Sequence, residues 1–175
     1  MTVRLLTPDD VPAFVAYENE MSALSGVAEH HHGPYPAGDP LPPDFAQRTA
    51  SRITAPVGAR DWRRYWGAWT DGTLVGVAHI SGGGLPSESH RLHLGMGVRP
   101  AARRQGHARA LLRAVVEWCV EAPGVAWLDL GVFAHNPAAI ALYQSEGFVE
   151  LGRTPDRFRV DGVRIIDITM TLSVE

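Results

Sequence analysis

The chain has 175 residues, of which 45% are hydrophobic and 20% charged, and its formal net charge is −3 at pH 7. This size fits one domain with a core of its own, and the charge excludes a general attraction to nucleic acid or to an anionic membrane. No segment resembles a signal peptide or approaches the ~20 apolar residues that cross a bilayer. We therefore expect a cytoplasmic protein, and we expect its single cysteine, Cys119, to be a buried, unreactive thiol.

The N-terminal segment predicts a short strand followed by a helix. Val3–Leu6 has the apolar character of a strand. Thr7 is a good helix cap, with Pro8 at the first helical position and Asp10 at the capping-box position. We expect the helix to end near Met21.

A long irregular loop separates this helix from the next. The glycines and prolines of Ser25–Pro43 exclude regular structure there, and Asp44 is expected to cap a second helix that ends near Ile53. Loops of more than ~12–15 residues usually carry function or are disordered. Ser25–Pro43 is therefore a candidate functional loop.

The remainder predicts a series of strands with two more helices. Apolar residues recur at helical spacing over Ala108–Val120, and Asn136 followed by Pro137 is typical of a helix start. Asp71-Gly72 predicts a hairpin turn, and Gly82–Gly84 predicts a flexible connection. The expected strands are Tyr65–Trp69, Leu74–Ile80, Leu92–Val98, Ala126–Phe133, Phe148–Arg153 and Val163–Thr171.

The turn Arg103–Ala108, with the sequence R-R-Q-G-H-A, joins a predicted strand to a predicted helix. The first turn of a helix leaves backbone N–H groups without internal partners, and the helix dipole adds about half a positive charge there. Gly106 has no Cβ, so that a phosphate can approach the backbone closely. The segment therefore predicts a binding site for a phosphorylated ligand.

Two separate segments resemble the motifs of the GNAT N-acetyltransferase family. Val98-x4-Arg103-x-x-Gly106-x-Ala108 is similar to the acyl-CoA signature Q/R-x-x-G-x-G/A. The segment from Asn136 to Phe148 resembles the second family motif, N-x-x-A-x-x-L-Y-x3-G-F, and the tail from Gly152 to Met170 is similar to the family's C-terminal hairpin. The resemblance implies a single α/β domain over residues 1–175. Its sheet would be mixed, mostly antiparallel and splayed, with about seven strands and about four helices.

The same resemblance implies acetyl-CoA as cosubstrate and no metal. The turn would hold the pyrophosphate, the preceding strand would carry the pantetheine arm beside a β-bulge at Gly95 and Gly97, and the Val98 amide would polarise the thioester carbonyl. Asn136 would help to hold the arm. The residues expected at the cosubstrate are Met96, Gly97, Val98, Arg103, Arg104, Gln105, Gly106, His107, Ala108, Arg109 and Asn136.

The resemblance also implies catalytic roles for two side chains. Tyr143 matches the family's usual general acid, which donates a proton as CoA leaves. His93 stands where relatives often have a glutamate base, and imidazole titrates near neutral pH. Another branch has a glutamate on the next strand, where this chain has Gly131, and Asp129 is a secondary candidate.

The implied activity is acetyl transfer to a primary amine of a small molecule or peptide, by direct attack in a ternary complex. Two alternatives stay open: a non-catalytic acyl-CoA-binding regulatory module, and a nucleotide-binding protein that uses the same turn. We expect no nucleic-acid or membrane partner, and a homodimer is left open. The sequence does not identify the amine.

Two further patterns admit more than one interpretation. We interpret the run His30–His32 first as a solvated turn and second as part of a substrate-binding loop. A metal site is the least favoured alternative, because no carboxylate pair or cysteine motif accompanies the run. Trp62, Trp66 and Trp69 are expected to pack in the core or at its rim rather than to stack on nucleic acid bases.

Overall fold

The computed structural model describes residues 1–25 and 31–175. Its strands form one seven-stranded sheet in the order β1-β2-β3-β4-β5-β7-β6. The strands are β1 Thr2–Leu5, β2 Arg63–Thr70, β3 Thr73–Gly82, β4 Arg91–Val98, β5 Trp127–Phe133, β6 Val149–Val160 and β7 Val163–Ser173. The helices are α1 Val11–Ala23, α2 Phe45–Thr54, α3 His107–Glu121 and α4 Pro137–Ser145. The predicted fold class is confirmed.

The start of α1 follows from the predicted capping residues. The Thr7 backbone N–H donates to Asp10 Oδ2 at 2.8 Å, and Arg4 donates to both oxygens of the same carboxylate at 2.7 Å each. The first turn, Pro8–Asp10, is a 3₁₀ turn that continues into α1. These contacts connect β1 to the start of the helix.

Two hydrophobic clusters lie on opposite faces of the sheet. The helix α3 contributes Leu111, Leu112 and Val115 to the larger cluster, while α1 contributes Phe14 and Tyr17 to the smaller one. Neighbouring residues of β2 belong to different clusters because side chains alternate along a strand. The sheet is therefore covered by a different helix on each face.

Left-handed residues close two of the hairpins. Asp71 and Gly72 have φ of 48° and 75°, and Asp161 and Gly162 have φ of 49° and 80°. Positive φ at both central residues is the requirement of a type I′ turn, whose twist matches that of the flanking strands. The predicted turn at Asp71-Gly72 is confirmed.

The strands β4 and β5 pair only at their beginnings. Their parallel register covers Arg91–His93 and Trp127–Asp129, and it ends there. The segment from Leu94 to Val98 has no strand partner on the β5 side, although it stays paired with β3. A gap therefore opens in the middle of the sheet, as the predicted splay requires.

Three local expectations were wrong. No bulge occurs at Gly95 or Gly97, because the β3–β4 register is continuous from Leu92 to Val98. The strand β6 continues to Val160, well past the predicted end, with an irregular register between Thr154 and Phe158 around Pro155. The expected flexible connection begins later, because Gly82 belongs to β3.

Other expectations about packing were confirmed. Cys119 is fully buried, and burial raises the pKa of its thiol to about 12. Trp62 and Trp66 are 4% exposed and pack against Trp118, while Trp69 lies under the guanidinium of Arg4. Within the described ranges no helix is long and apolar enough to span a membrane.

Candidate active site

The turn before α3 presents a series of free backbone donors. Arg104 and Gly106 have left-handed φ of 64° and 86°, and the first bond of the helix is donated by Ala110 to the Gly106 carbonyl. The N–H groups of residues 104–109 have no acceptor among the described residues. Left-handed residues in such a turn form concave amide sites that bind anions. The turn therefore has the donors that a phosphate requires, as the sequence predicted.

The arginines of this region differ in their availability. Arg109 and Arg113 both form ion pairs with Glu146 just after α4, and Arg109 also donates to Ser145 Oγ at 3.1 Å. The Nε of Arg103 donates to the Val98 carbonyl at 3.2 Å. Arg104 is exposed and has no ion pair with a described residue. Arg109 can thus contribute its backbone N–H to a ligand while its side chain ties α3 to α4.

The β4 edge at the gap carries two further donors. The Arg99 N–H donates to the Val75 carbonyl of β3, so the backbone alternation turns the N–H groups of Val98 and Met96 toward the gap. No strand of the described chain pairs with them on that side. An extended ligand can therefore bind along β4 as an additional strand.

A cleft of about 590 Å³ connects the turn to the gap. Asn136 lines it, and its Oδ1 caps α4 by accepting the Ala139 N–H at 3.1 Å. His107 is 4% exposed, and its Nδ1 has no hydrogen-bond partner among the described residues. The cosubstrate residues predicted from the sequence, apart from Gln105, all line this cleft: Met96, Gly97, Val98, Arg103, Arg104, Gly106, His107, Ala108, Arg109 and Asn136.

Tyr143 lies where this cleft meets a second cavity. The side chain is 6% exposed and packs against Phe148, with 5.6 Å between the ring centroids. Its hydroxyl has no hydrogen-bond partner among the described residues, and burial raises its pKa to about 12. The phenol therefore stays protonated at neutral pH and has a proton available for a group that binds in the cleft.

The second cavity, of about 900 Å³, lies on the α1 side of the gap. His93 lines it as an exposed side chain of β4, and Tyr143 lies at its border with the cleft. The two predicted catalytic residues therefore line one cavity. We call this second cavity the acceptor cavity.

Asp129 is held in an ion pair. Arg91 donates to its two carboxylate oxygens at 2.7 and 2.6 Å, and the Thr171 hydroxyl donates to Oδ1 at 2.6 Å. Burial alone would raise the pKa of Asp129, but these hydrogen bonds outweigh it and hold the pKa below its usual value. Such a carboxylate is a poor proton acceptor, so the contacts favour a structural role for Asp129.

Asp167 is a carboxylate in the acceptor cavity that the sequence did not single out. Its oxygens lie 3.0 and 3.1 Å from the position of a Cβ built on Gly131, so the carboxylate fills the space above this glycine. It accepts no hydrogen bond from a described residue, and burial raises its pKa despite the charge of Arg157. Only the pairing of β5 with β7 brings Asp167 and Gly131 together, and no local pattern signals that contact.

The histidine run is only partly a solvated turn. His30 lies outside the described residues, whereas His31 and His32 line both the cleft and the acceptor cavity. His32 Nε2 is 3.1 Å from Glu18 Oε2, and its backbone N–H donates to Ser25 Oγ. These contacts favour the interpretation as a substrate-binding loop. In the described part of the chain no group of three or more His, Cys, Asp or Glu residues is placed to hold a metal ion.

Comparisons with known proteins agree with this geometry. The family model of the GNAT acetyltransferases matches residues 24–148. The N-alpha-acetyltransferase RimI of Mycobacterium tuberculosis is 37% identical over 125 residues, which cover 71% of this chain and 71% of that protein.

Two solved structures share the fold. A GNAT-family acetyltransferase from Streptococcus pneumoniae superposes with a TM-score of 0.84 at 20% identity, covering 99% of both chains. A phosphinothricin acetyltransferase from Sinorhizobium meliloti, solved in complex with acetyl-CoA, gives a TM-score of 0.79 at 22% identity, over 98% of this chain and 87% of that one. The family match and the similarity to RimI show that the chain belongs to the GNAT acetyltransferase family and is an acyltransferase.

Proposed function

We propose that this enzyme transfers the acetyl group of acetyl-CoA to a primary amine of a small molecule or peptide, by direct attack in a ternary complex. Acetyl-CoA is the cosubstrate, and it supplies the acetyl group as a thioester. The observation that carries the proposal is the row of free amides at residues 104–109, at one end of a cleft that reaches Tyr143. Each part of that cleft suits a different part of acetyl-CoA.

The residues of the turn suit a pyrophosphate. Six consecutive free N–H groups, at residues 104–109, offer hydrogen bonds at the positive end of the α3 dipole, and Arg104 adds a free cation. A bound anion would give these N–H groups hydrogen-bond acceptors and so stabilise this conformation. His107 Nδ1, buried and unpartnered, is a further polar group in the same cleft.

The edge of β4 suits the pantetheine arm and the thioester. The N–H groups of Met96 and Val98 face the gap, where they can pair with the amides of an extended arm. A fixed N–H also stabilises negative charge that develops on a thioester oxygen, and we assign this role to Val98. Asn136 helps to hold the arm from the opposite side of the gap.

Tyr143 is the proposed general acid. Its hydroxyl is protonated at neutral pH and free of partners in the described chain, so it can donate to the sulfur as the carbon–sulfur bond breaks.

His93 is the proposed general base. An acceptor amine in the cavity must lose a proton when it attacks the acetyl carbon, and the exposed imidazole can take that proton directly or through a water molecule. Its exposure then lets the proton pass to solvent.

The experiment measures acetyl-CoA binding and thiol release in the presence of polyamines, aminoglycosides, amino acids and peptide N-termini. We expect tight binding of acetyl-CoA and amine-dependent thiol release. Binding without release across a broad panel would instead indicate the regulatory module, and absence of binding would contradict the assignment of the turn.

A matched pair of variants checks the turn. Gly106 and Gly124 both have left-handed φ, of 86° and 80°, and a Cβ at either position meets no atom within 4 Å. Substitution by alanine therefore introduces similar backbone strain at both positions. We expect Gly106→Ala to weaken acetyl-CoA binding and Gly124→Ala to leave it unchanged.

A further inference from the structure

The acceptor cavity contains two arginines whose charge is not neutralised. Arg52 of α2 and Arg63 of β2 both line it and are both half-buried. Neither guanidinium forms a hydrogen bond or an ion pair with a described residue. Placing cations in a cleft without counter-charges is unfavourable unless a ligand supplies the negative charge.

The charges of Arg52 and Arg63 both affect the same side chain, His79 of β3. This histidine lies on the strand between β2 and β4 and lines the acceptor cavity. A Cβ built on Gly95 would lie 2.3 Å from Cε1 of His79, so the imidazole ring covers that glycine. Burial, together with the charges of Arg63, His32 and Arg52, lowers the pKa of His79 to about 3. The imidazole is thus neutral, and the positive potential beside β4 comes from the two arginines.

Most of the other charged groups of the cavity have local partners, and the carboxylate of Asp39, which also lines the cavity, forms no ion pair with a described residue. Arg48 pairs with Asp44 at 3.2 Å, Glu18 lies beside His32, and Arg157 stacks over Phe158. Asp167 faces Arg157 but accepts no hydrogen bond in the described chain. The cavity therefore has two cations without an ion pair, Arg52 and Arg63, and two such carboxylates, Asp39 and Asp167, of which Asp167 lies over β5.

We propose that the acceptor is a free amino acid whose carboxylate binds Arg52 and Arg63. The inference rests on the proposed N-acetyltransferase function, and it names the class of acceptor that binds in the acceptor cavity. Guanidinium groups bind carboxylates through paired, charge-assisted hydrogen bonds, which give both affinity and orientation. An amine without a carboxylate would be repelled here, because its ammonium group would meet two unpaired cations.

The amine end of the acceptor points to the gap. Asp167 lies over Gly131, on the opposite side of the gap from the glycines of β4, and can attract an ammonium group to that position. The aromatic side chains of Phe45 and Phe158 line the same cavity and suit an apolar amino-acid side chain. A peptide N-terminus offers the same amine but replaces the α-carboxylate by an amide.

The test compares free L-amino acids with their α-carboxamides, so that each pair differs only in the charge of the carboxyl group. We expect the wild-type enzyme to acetylate amino acids with apolar side chains, with kcat/KM at least about tenfold above that of the amides. Arg52→Gln and Arg63→Gln should each reduce this ratio by about tenfold or more. The reduction should come from a lower kcat/KM of the amino acid, while kcat/KM of the amide stays unchanged. Arg60→Gln, at an exposed position outside the cavity, is the control and should keep the wild-type ratio.

Two results would overturn the carboxylate site. One is a wild-type enzyme that prefers the amides or peptide N-termini. The other is an arginine variant that slows amino acid and amide equally.

Calorimetric titration of the same compounds separates this proposal from the function itself. Amino-acid binding that is lost in Arg52→Gln, without thiol release from any amine, would uphold the carboxylate site and contradict the transferase. Thiol release with amides only would uphold the transferase and contradict the carboxylate site.

Discussion

His93 of β4 pairs with Asp129 of β5 at the last position before the two strands separate. The gap therefore begins beside the proposed base, and the carboxylate next to it is neutralised by Arg91. The ion pair holds the strands together at this point while the backbone beyond it is free to bind a ligand. The position of His93 is set by where the sheet divides, and this puts its imidazole at the edge of the acceptor cavity.

Replacing His93 should change the pH dependence of the reaction. A general base acts only in its unprotonated form, so kcat/KM of the wild-type enzyme should fall at acidic pH as the base takes up a proton. In His93→Gln we expect kcat to fall by about 10²-fold or more and this acidic limb to disappear. His90→Gln, at an exposed position in the turn before β4, is the control. A variant profile that keeps the wild-type acidic limb would exclude His93 as the base.

Tyr143→Phe should lower kcat with little effect on acetyl-CoA binding. The substitution removes one hydroxyl from a buried ring and keeps the packing on Phe148. Loss of a general acid costs about 10²- to 10⁴-fold in rate. Since the pKa of Tyr143 is raised to about 12, the wild-type rate should show no loss from its ionisation at neutral or mildly alkaline pH. Steady-state kinetics and a titration with acetyl-CoA measure both effects, and unchanged kcat would remove Tyr143 from the role of acid.

The features predicted correctly from the sequence depend on neighbouring residues. The turn Arg103–Ala108, the cap at Asn136 and the hairpin turn at Asp71-Gly72 all lie within a few residues, so local rules describe them. The bulge expected in β4 is absent, and the glycines there instead leave room for neighbouring side chains. A Cβ on Gly95 would overlap the ring of His79, and one on Gly97 would approach Tyr17 and His32.

The acceptor cavity depends on distant parts of the chain and was not predicted in detail. Asp167 reaches Gly131 only because β7 pairs with β5, and Arg52 and Arg63 share the cavity only because α2 packs beside β2. The charge pattern of a cavity follows from such contacts, and no spacing in the sequence reveals it. For this reason the sequence indicated the cosubstrate but did not identify the acceptor.

Gly97→Ala should disturb the site through close contact. The added Cβ would lie 2.9 Å from the Tyr17 hydroxyl and 3.2 Å from the His32 ring, and Tyr17 is fully buried and cannot move freely. Overpacking of this kind costs about 1–3 kcal/mol of stability. We expect a lower Tm and a lower kcat/KM, measured by thermal unfolding and thiol release. Gly152→Ala, where a Cβ meets no atom within 4 Å, is the control, and equal behaviour of the two variants would contradict the close approach.

Asp10→Asn should destabilise the fold in a pH-dependent manner. Hydrogen bonds from Arg4, opposed by burial and assisted by Thr7, hold the pKa of Asp10 well below its usual value. A carboxylate with a lowered pKa in the folded state stabilises the protein above its unfolded pKa of about 4, and this contribution is lost as the pH falls further toward the folded pKa.

At pH 7 we expect a loss of about 1 kcal/mol, since Arg4 is nearly half exposed and the ion pair is partly screened by solvent. The difference between wild type and variant should shrink as the pH falls below about 4, because the unfolded wild-type chain then takes up a proton that the folded Asp10 carboxylate does not. Urea unfolding at pH 7 and at decreasing acidic pH measures both quantities. Asp9→Asn, at an exposed neighbouring position that no described residue contacts through an ion pair, is the control. A difference that is constant with pH would show that Asp10 stabilises the start of α1 through hydrogen bonding alone, without its charge.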